Sequence, residues 1–310
     1  MKLSPNMTQT QQSGSQIKTK IQELAPYQNL RNRILQVEDL PTVPATILRL
    51  IESLGNVEVT VEELEDIIRY DQSLTSKVLS VANSAFYGHR VPITTVKRAI
   101  IALGLDEVRN IALSIMMISI FKTPEEFEDF SLNDFWLHSI AVGLGARIIA
   151  GALGRPDDEV FFVCGLLHDL GRAVLATQFP DEFRAILKVQ RETGCHLLEA
   201  EASLDVPHTW VGRWLARYWK LPGFVIEAIR YHHHPFTRKG FKEVAAICQV
   251  ADHLAHRYQI GRIPGGQEAA IGPVLKRLGL SEETFSELAD QFEALGPVIV
   301  ESWLSNAIVS

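Results

Sequence analysis

The segment VCGLLHDLGRAVL, residues 163–175, places two adjacent polar side chains in a mostly apolar stretch. Its apolar residues predict a helix that is buried on most of its faces, and we expect this helix to run over residues 158–178. His168 and Asp169 fall in its middle. Burying an imidazole beside a carboxylate is costly unless the two are paired or bind a metal ion. The segment therefore predicts a helical core with a polar site inside it.

Helical patterns continue along the chain on both sides of this segment. Thr60 and Glu63 fit a capping box at the start of one helix. No convincing run of alternating apolar and polar residues predicts a strand. Further helices are predicted over residues 131–153, 181–193, 196–204, 208–219, 222–232 and 240–258. The sequence therefore predicts an all-α fold.

Composition divides the chain into four parts. Residues 1–16 are rich in Gln, Ser and Thr and predict a disordered tail. We expect an N-terminal helical subdomain over residues 17–123, a helical core over 124–260 and a small C-terminal helical extension over 261–310. Nine of the ten histidines lie between residues 138 and 256, so any chemistry is expected in the core.

Charge and cysteine content narrow the class of protein. The chain has 310 residues and a formal net charge of −7, which argues against a strongly basic nucleic-acid binder, and we expect no DNA partner. Three cysteines without a CxxC pair favour a reducing, cytoplasmic compartment. The longest apolar stretch, residues 111–121, is too short to span a bilayer, so we expect no membrane association.

Candidate metal ligands are spread over the histidine-rich core. They are His138, His168, Asp169, His208, His232, His233 and Asp252. Imidazole nitrogen and carboxylate oxygen together suit iron, zinc or manganese better than calcium or magnesium. The set is large enough for two ions, an arrangement used for in-line phosphoester hydrolysis. We expect one or two divalent metal ions and no organic cofactor, because the sequence has no GxGxxG, Walker A or GxSxG motif.

Some of these residues also have plainer interpretations. A single histidine such as His138 is more often a core residue with satisfied hydrogen bonds than a metal ligand. Asp169 could pair with Arg172, three residues further along the helix. Asp252 could be bonded to a neighbouring helix. Each of these alternatives explains one residue. They explain less well why so many candidate ligands occur in one region of the chain.

The remaining histidines have alternatives of the same kind. His208 could cap a helix, and the run at residues 232–234 stands at a predicted helix end, where imidazolium complements the helix dipole. His253 and His256 lie on a different face from Asp252 or one turn beyond it. We assign these two to a solvated helix face and leave them out of the site.

The sequence resembles the HDOD domain, a bacterial signalling module of the wider HD-domain superfamily, from about Leu40 to about His256. The segments that carry the resemblance are LPTVPATILRLIE, DQSLTSKVLSVANSAFYG, ITTVKRAIIALGLDEVRNIAL, FWLHSIAVG, GLLHDLGRAVL, HTWVGRWLARYWKLP and IRYHHHP. The resemblance implies an N-terminal helical subdomain that starts near residue 38 and packs on an HD-like five-helix core. It also implies a signal-transduction module that is mostly non-catalytic and often lacks the metal ligands of the superfamily.

This chain matches the ligand pattern of the superfamily residue by residue. The H…HD…D pattern is matched by His138, His168, Asp169 and Asp252. The further histidines of the related HD-GYP cyclic di-GMP phosphodiesterases are matched by His208, His232 and His233. In contrast, His234 replaces the acidic residue of those enzymes, no GYP signature follows, and Arg172 stands where they have lysine.

Two functions follow from this comparison. The first is a regulatory module that contacts other signalling proteins and keeps a His/Asp metal site. The second is a metal-dependent phosphohydrolase acting on a nucleotide or cyclic dinucleotide, in which Asp169 is catalytic and Arg172 steadies the phosphate. A closed metal site favours the first function, and an open cleft with solvent-facing metal positions favours the second.

Overall fold

The computed structural model describes residues 43–52, 60–122, 126–155, 159–264 and 270–303. The predicted tail over residues 1–16 lies outside these residues. Within them the chain is helical apart from one two-stranded hairpin and an isolated bridge, which confirms the all-α fold. The boundaries predicted at residues 123 and 260 stay predictions.

The N-terminal subdomain consists of short helices with side-chain caps at several starts. These helices are α1 (Ala45–Glu52), α2 (Val61–Arg69), α3 (Gln72–Ala82), α4 (Val96–Leu103) and α5 (Leu105–Ile120). Before α2, the Thr60 side chain accepts a hydrogen bond from the Glu63 backbone, and the Glu63 carboxylate accepts one from the Thr60 backbone. This confirms the predicted capping box. Before α3 and α4, the Asp71 and Thr95 side chains each accept one backbone hydrogen bond, from Leu74 and Arg98, without the reciprocal bond of a capping box.

The HD-like core and the extension follow. The core contains α6 (Leu132–Ala152), α7 (Glu159–Leu167), α8 (Leu170–Gln178), α9 (Pro180–Thr193), α10 (Leu197–Ser203), α11 (His208–Tyr218), α12 (Gly223–Tyr231), β1 (Phe236–Thr237), β2 (Gly240–Phe241) and α13 (Glu243–Arg257). The extension contains α14 (Gly272–Leu278) and α15 (Glu282–Trp303). Helix α6 packs against α7 and α13 and is buried along most of its length, because it is apolar on nearly every face.

Two helical stretches of the described residues are long and apolar enough to cross a membrane by composition alone. They are Leu132–Ala152 and Glu159–Gln178. Of the most apolar segment of each, 78% and 89% of the residues lie buried within the protein. Such burial is that of core helices in a globular protein.

The helix predicted over residues 158–178 is wrong in one respect, because it breaks at His168 and Asp169. Helix α7 ends at Leu167, the two polar residues form a turn, and α8 begins at Leu170. Consecutive side chains of a continuous helix point about 100° apart. The turn instead lets both side chains face one centre, with His168 Nε2 3.5 Å from Asp169 Oδ2.

Helices α8 and α11 approach each other closely beside this turn. A Cβ atom on Gly171 would lie 1.9 Å from the backbone oxygen of His208, and one on Gly212 would lie 2.9 Å from the backbone nitrogen of Gly171. Only glycine fits at such a distance. The contact sets His208, the first residue of α11, directly against α8.

A partly buried polar network joins the N-terminal subdomain to the core. Arg147 of α6 pairs with Glu107 of α5 and with Glu159 of α7. The Tyr87 hydroxyl donates to Glu107 at 2.5 Å. Helix α15 also contacts the subdomain, since the Phe86 backbone donates to Ser302 Oγ at 3.2 Å.

Candidate metal centre

All seven metal ligands proposed from the sequence meet in one polar cluster inside the core. They come from α6, the turn between α7 and α8, the start of α11, the end of α12, and α13. The four histidines at positions 138, 168, 208 and 232 and Asp169 have no exposed surface. Asp252 is 7% exposed, and His233 is partly buried.

One end of the cluster is built around Asp252. His138 Nε2 lies 2.9 Å from Asp252 Oδ1. His168 Nε2 lies 3.8 Å from the same oxygen, and the His138 and His168 rings are 5.5 Å apart. Asp252 is therefore bonded to a residue of a neighbouring helix, as the alternative interpretation expected, and it also lies near His168.

The other end is built around Asp169. Its Oδ1 atom lies 3.0 Å from His208 Nε2 and 3.3 Å from His232 Nε2. The two imidazole nitrogens are themselves 3.3 Å apart. The His233 ring lies 4.0 Å from the His232 ring, which brings a fourth donor to this end.

Hydrogen bonds on the far side of three imidazoles fix how their rings are oriented. His168 Nδ1 lies 2.7 Å from the Gly165 carbonyl oxygen, and His232 Nδ1 lies 3.1 Å from the Ala228 carbonyl oxygen. His208 Nδ1 contacts the Glu201 carboxylate. An Nδ1–H that donates to oxygen leaves the Nε2 lone pair free, which is the usual orientation of a metal-binding histidine.

Two of these inward-facing atoms lack a hydrogen-bond partner in the part of the chain that is described. His168 Nε2 and His233 Nε2 are buried and complete no hydrogen bond. Buried polar atoms are normally satisfied, and here they belong to groups whose donor atoms lie within 4.8 Å of one another. The residues therefore fit a divalent metal ion of the iron, manganese or zinc type.

Electrostatics keep the carboxylates charged. Burial by itself would raise the pKa of Asp169, but the Arg172 guanidinium and the imidazoles of His168 and His208 hold it well below its ordinary value. Burial opposes the charge of Asp252 in the same way, and His256 and His138 hold its pKa well below the ordinary range. Both aspartates are therefore anionic donors at neutral pH.

The imidazoles fall into two classes. Burial lowers the pKa of His138 to about 4 and also lowers the pKa of His168. The pKa of His208 is raised despite burial and the nearby Arg172, because Glu201 and Asp169 favour its charged form. Neutral His138 and His168 offer lone pairs to a metal ion, whereas His208 must release the proton on Nε2 before it can bind one.

Arg172 is buried between two carboxylates. It pairs with Asp169, as the alternative interpretation of that residue expected, and its Nε atom donates to Glu201 Oε1 at 3.0 Å. Only 5% of its surface is exposed. The guanidinium therefore points into the protein and is engaged at both ends.

Glu201 is a site residue that the sequence analysis missed. It has no exposed surface, and it accepts hydrogen bonds from the His208 backbone at 3.1 Å and from Arg172. It lies in the segment LLEAEASLDV, where Glu199 is exposed. Nothing in this local pattern distinguishes the buried glutamate from the exposed one.

The prediction that His253 and His256 lie on a solvated face is wrong. His253 is 9% exposed, and the His256 side chain is 12% exposed. His256 Nε2 lies 3.2 Å from Asp252 Oδ1, and its ring lies 4.6 Å from that of His138. The physical reason is that residues four apart on a helix share a face, and α13 is packed on nearly every face.

A polar cleft of about 830 Å³ opens beside the Asp252 end of the cluster. His256 belongs both to the cleft wall and to the cluster. Charged residues of both signs line the cleft, among them Asp134, Arg257 and Arg262. At the Asp169 end, Asp169, His208 and His232 are fully buried and His233 is partly buried.

Solved structures share this fold. An HDOD domain protein of unknown function from Geobacter sulfurreducens has a TM-score of 0.75 at 24% identity, covering 95% of this chain and 100% of the other. A proposed signal transduction protein from Marinobacter aquaeolei VT8 has a TM-score of 0.75 at 25% identity, covering 91% and 66%. A proposed phosphohydrolase from Shewanella amazonensis SB2B has a TM-score of 0.68 at 23% identity, covering 87% and 96%.

Sequence comparison agrees with the structural one. An uncharacterized protein from Treponema pallidum is 26% identical over 235 residues, which are 74% of this chain and 44% of that protein. The chain thus spans less than half the length of this relative. An HDOD domain is matched over residues 40–235; this range includes six of the seven expected ligands and ends before Asp252. Because the match covers more than half of the sequence, the chain belongs to the HDOD family.

Proposed function

We propose that this protein is a bacterial, cytoplasmic signal-transduction module that acts on other signalling proteins and keeps a metal ion in its HD-like core. The observation that carries the proposal is the burial of the donor set, since His168, Asp169, His208 and His232 have no exposed surface. Structural metal sites are closed by protein ligands, whereas catalytic sites keep an open position. Burial of these four donors thus favours a regulatory or stabilising role for the ion that they would hold.

The residues that would hold the metal are those whose donor atoms converge. They are His138, His168, Asp169, His208, His232, His233 and Asp252. A bound divalent cation would supply positive charge where two aspartates are buried. The protein's own groups already orient the donors: the Gly165 and Ala228 carbonyls and Glu201 bind the Nδ1 side of three imidazoles.

The position of Arg172 supports the same proposal. Its guanidinium is held by Asp169 and Glu201 and is almost fully buried. An arginine that steadies a substrate phosphate needs donors that face the substrate. In this arrangement Arg172 instead compensates the charge of two buried carboxylates.

Contacts with a partner protein are the second element of the proposal. Tyr70, Val91 and Ile101 of the N-terminal subdomain are large apolar side chains with 83%, 70% and 73% of their surface exposed. Aromatic and apolar residues are the typical centres of protein–protein interfaces. These side chains make the N-terminal subdomain the preferred partner-binding part.

A metal-dependent phosphohydrolase acting on a nucleotide or cyclic dinucleotide is the second candidate. The observation that favours it is the polar cleft beside His256, which contains Arg257 and Arg262. Guanidinium groups bind phosphate in a bidentate manner. A Shewanella protein of the same fold is also described as a proposed phosphohydrolase.

Metal content and hydrolysis, measured together, test the proposal. The full chain, purified without a histidine tag, added metal or chelator, is expected to carry about one or two ions of iron, manganese or zinc by mass spectrometry. It is expected not to hydrolyse cyclic dinucleotides or nucleotides. Asp169→Asn should have a lower metal content than the wild type, whereas Asp181→Asn, at a side chain that is 92% exposed, should have the same content.

Two results would contradict the proposal. Hydrolysis that is present in the wild-type protein and absent in Asp169→Asn would favour the phosphohydrolase. A chain that takes up no metal after reconstitution with iron(II), manganese(II) and zinc(II) would contradict metal binding in both candidate functions.

A further inference from the structure

His256 adds a donor that the ligand pattern of the superfamily does not include. It lies one helical turn after Asp252 on α13, beyond the matched HDOD range, and its Nε2 atom is 3.2 Å from Asp252 Oδ1. We propose that His138, Asp252 and His256 form a separate metal subsite at the cleft-facing end of the cluster. This inference rests on the proposed metal-binding function and divides it between two subsites.

The geometry of the three residues fits one ion. His138 Nε2 lies 2.9 Å from Asp252 Oδ1, and the donor atoms of all three side chains lie within 4.8 Å of one another. Asp252 and His256 are four residues apart on one helix, so their side chains are neighbours on the same helix face. Two imidazole nitrogens and one carboxylate oxygen are a donor set for iron(II), manganese(II) or zinc(II).

The two ends of the cluster use different donors. The Asp169 end contains Asp169, His208, His232 and His233, and none of these belongs to the proposed subsite. The two ends adjoin, since the donor atoms of His138, His168 and Asp169 also lie within 4.8 Å of one another, and His168 Nε2 is 3.5 Å from Asp169 Oδ2 and 3.8 Å from Asp252 Oδ1. His256 and His232 each belong to one end alone, so a substitution at either residue removes a donor from that end only.

The subsites also differ in access to solvent. The Asp252 and His256 side chains are 11% and 12% exposed, and His256 lines the cleft. At the Asp169 end, Asp169, His208 and His232 have no exposed surface and His233 is partly buried. An ion at the cleft-facing subsite is therefore more open to small ligands and chelators than an ion at the Asp169 end.

Metal titration of the full chain tests this division. Metal-free wild-type protein titrated with manganese(II), and in parallel with cobalt(II), is expected to bind about two equivalents. His256→Gln should bind about one equivalent, and its cobalt spectrum should lose the contribution of the cleft-facing ion. His232→Gln should lose the other ion. His234→Gln, which removes an exposed imidazole, is the matched control and should bind as the wild type does.

The kinetics of metal release from the wild-type protein give a second measurement of the two subsites. Wild-type protein loaded with metal and mixed with excess chelator should release its ions in two phases of similar amplitude, a fast phase from the cleft-facing subsite and a slow phase from the Asp169 end. In His256→Gln only the slow phase should remain.

The outcomes separate this inference from the function on which it rests. A wild-type chain that binds one equivalent in a single phase would overturn the separate subsite and leave metal binding intact. A His256→Gln chain that still binds two equivalents would show that His256 only pairs with Asp252. A wild-type chain that binds no ion would overturn the inference and the proposed function together.

Discussion

Glu201 controls the orientation of a proposed ligand without facing the centre of the cluster itself. Its carboxylate accepts hydrogen bonds from the backbone of His208 and contacts the Nδ1 side of that imidazole, and it also pairs with Arg172. One buried carboxylate therefore sets the tautomer of His208 and balances the charge of a buried guanidinium. Residues of this kind affect a metal site nearly as strongly as the ligands do.

Replacing Glu201 by glutamine should weaken metal binding while leaving the fold in place. The neutral amide has almost the same shape but polarises His208 less and no longer offsets Arg172. We expect the metal affinity to fall roughly 10–100-fold in a chelator-competition titration. Glu192→Gln, at a side chain that is 61% exposed, is the control. Equal affinities for the two variants would contradict the role given to Glu201.

His138 should make the metal-free protein sensitive to mild acid. Its folded-state pKa of about 4 lies below the ordinary value of 6.5, so the unfolded chain binds a proton first as the pH falls. The contribution of His138 is present above pH 6.5 and is lost between pH 6.5 and about 4. The loss is about 3 kcal/mol of unfolding free energy.

Denaturant unfolding of chelator-treated protein from pH 7 to pH 4 measures this effect. We expect the stability of the wild type to fall more steeply over this window than that of His138→Gln. His89→Gln, which removes an exposed imidazole, is the matched comparison. Parallel pH profiles for the wild type and His138→Gln would show that His138 is not the group responsible.

At the scale of the helix, local signals predicted some features and missed others. Thr60 and Glu63 are three residues apart, so the capping box could be predicted from the sequence alone, and the structure confirms it. The break at His168 and Asp169 could not be predicted, because the adjoining residues Leu167 and Leu170 favour a helix. The turn instead places His168 near Asp252 and Asp169 near His208. In both contacts the two residues are far apart in the sequence, so a local sequence pattern does not contain them.

The contact between α8 and α11 should tolerate no side chain at Gly171. A Cβ atom there would lie 1.9 Å from the His208 backbone oxygen, so Gly171→Ala must push α11 and His208 away from α8. We expect a loss of roughly 2–3 kcal/mol in unfolding free energy and a reduced metal content in the folded fraction.

Gly223→Ala is the control for this substitution. A Cβ atom on Gly223, the first residue of α12, would have no neighbour within 4 Å, so its stability in the same denaturant titration should match that of the wild type. Similar midpoints for both alanine variants would contradict the argument from close approach.

At the scale of the whole molecule, the family resemblance implied the all-α fold that the structure shows. Seven of the residues that meet in the cluster match the ligand pattern that the resemblance supplied. The resemblance did not include His256, and Glu201 carries no local signal that separates it from Glu199. Both residues act through contacts between elements, and a pattern of spacing within one helix does not contain such contacts.

The polar network around Arg147 should stabilise the contact between the N-terminal subdomain and the core. Arg147→Met would remove the partner of two partly buried carboxylates, Glu107 and Glu159. We expect a loss of about 2 kcal/mol, less than for a fully buried pair because these side chains keep some contact with water. We expect the same loss of unfolding free energy in unfolding curves recorded with a probe in the N-terminal subdomain and with a probe in the core.

Arg155→Met provides the comparison. The pair between Arg155 and Glu243 is 37% and 42% exposed, so its loss should cost less than about 1 kcal/mol. An Arg147→Met variant as stable as Arg155→Met would mean that apolar packing alone holds the two parts together.

The bond between His138 and Asp252 also affects how the protein is made. The two residues are 114 positions apart, and ribosomes release a chain from its N-terminus onward. Helix α6 is therefore synthesised long before α13, and His138 lacks Asp252 as its partner until translation has passed that residue. Completion of the polar cluster is therefore a late event in biogenesis.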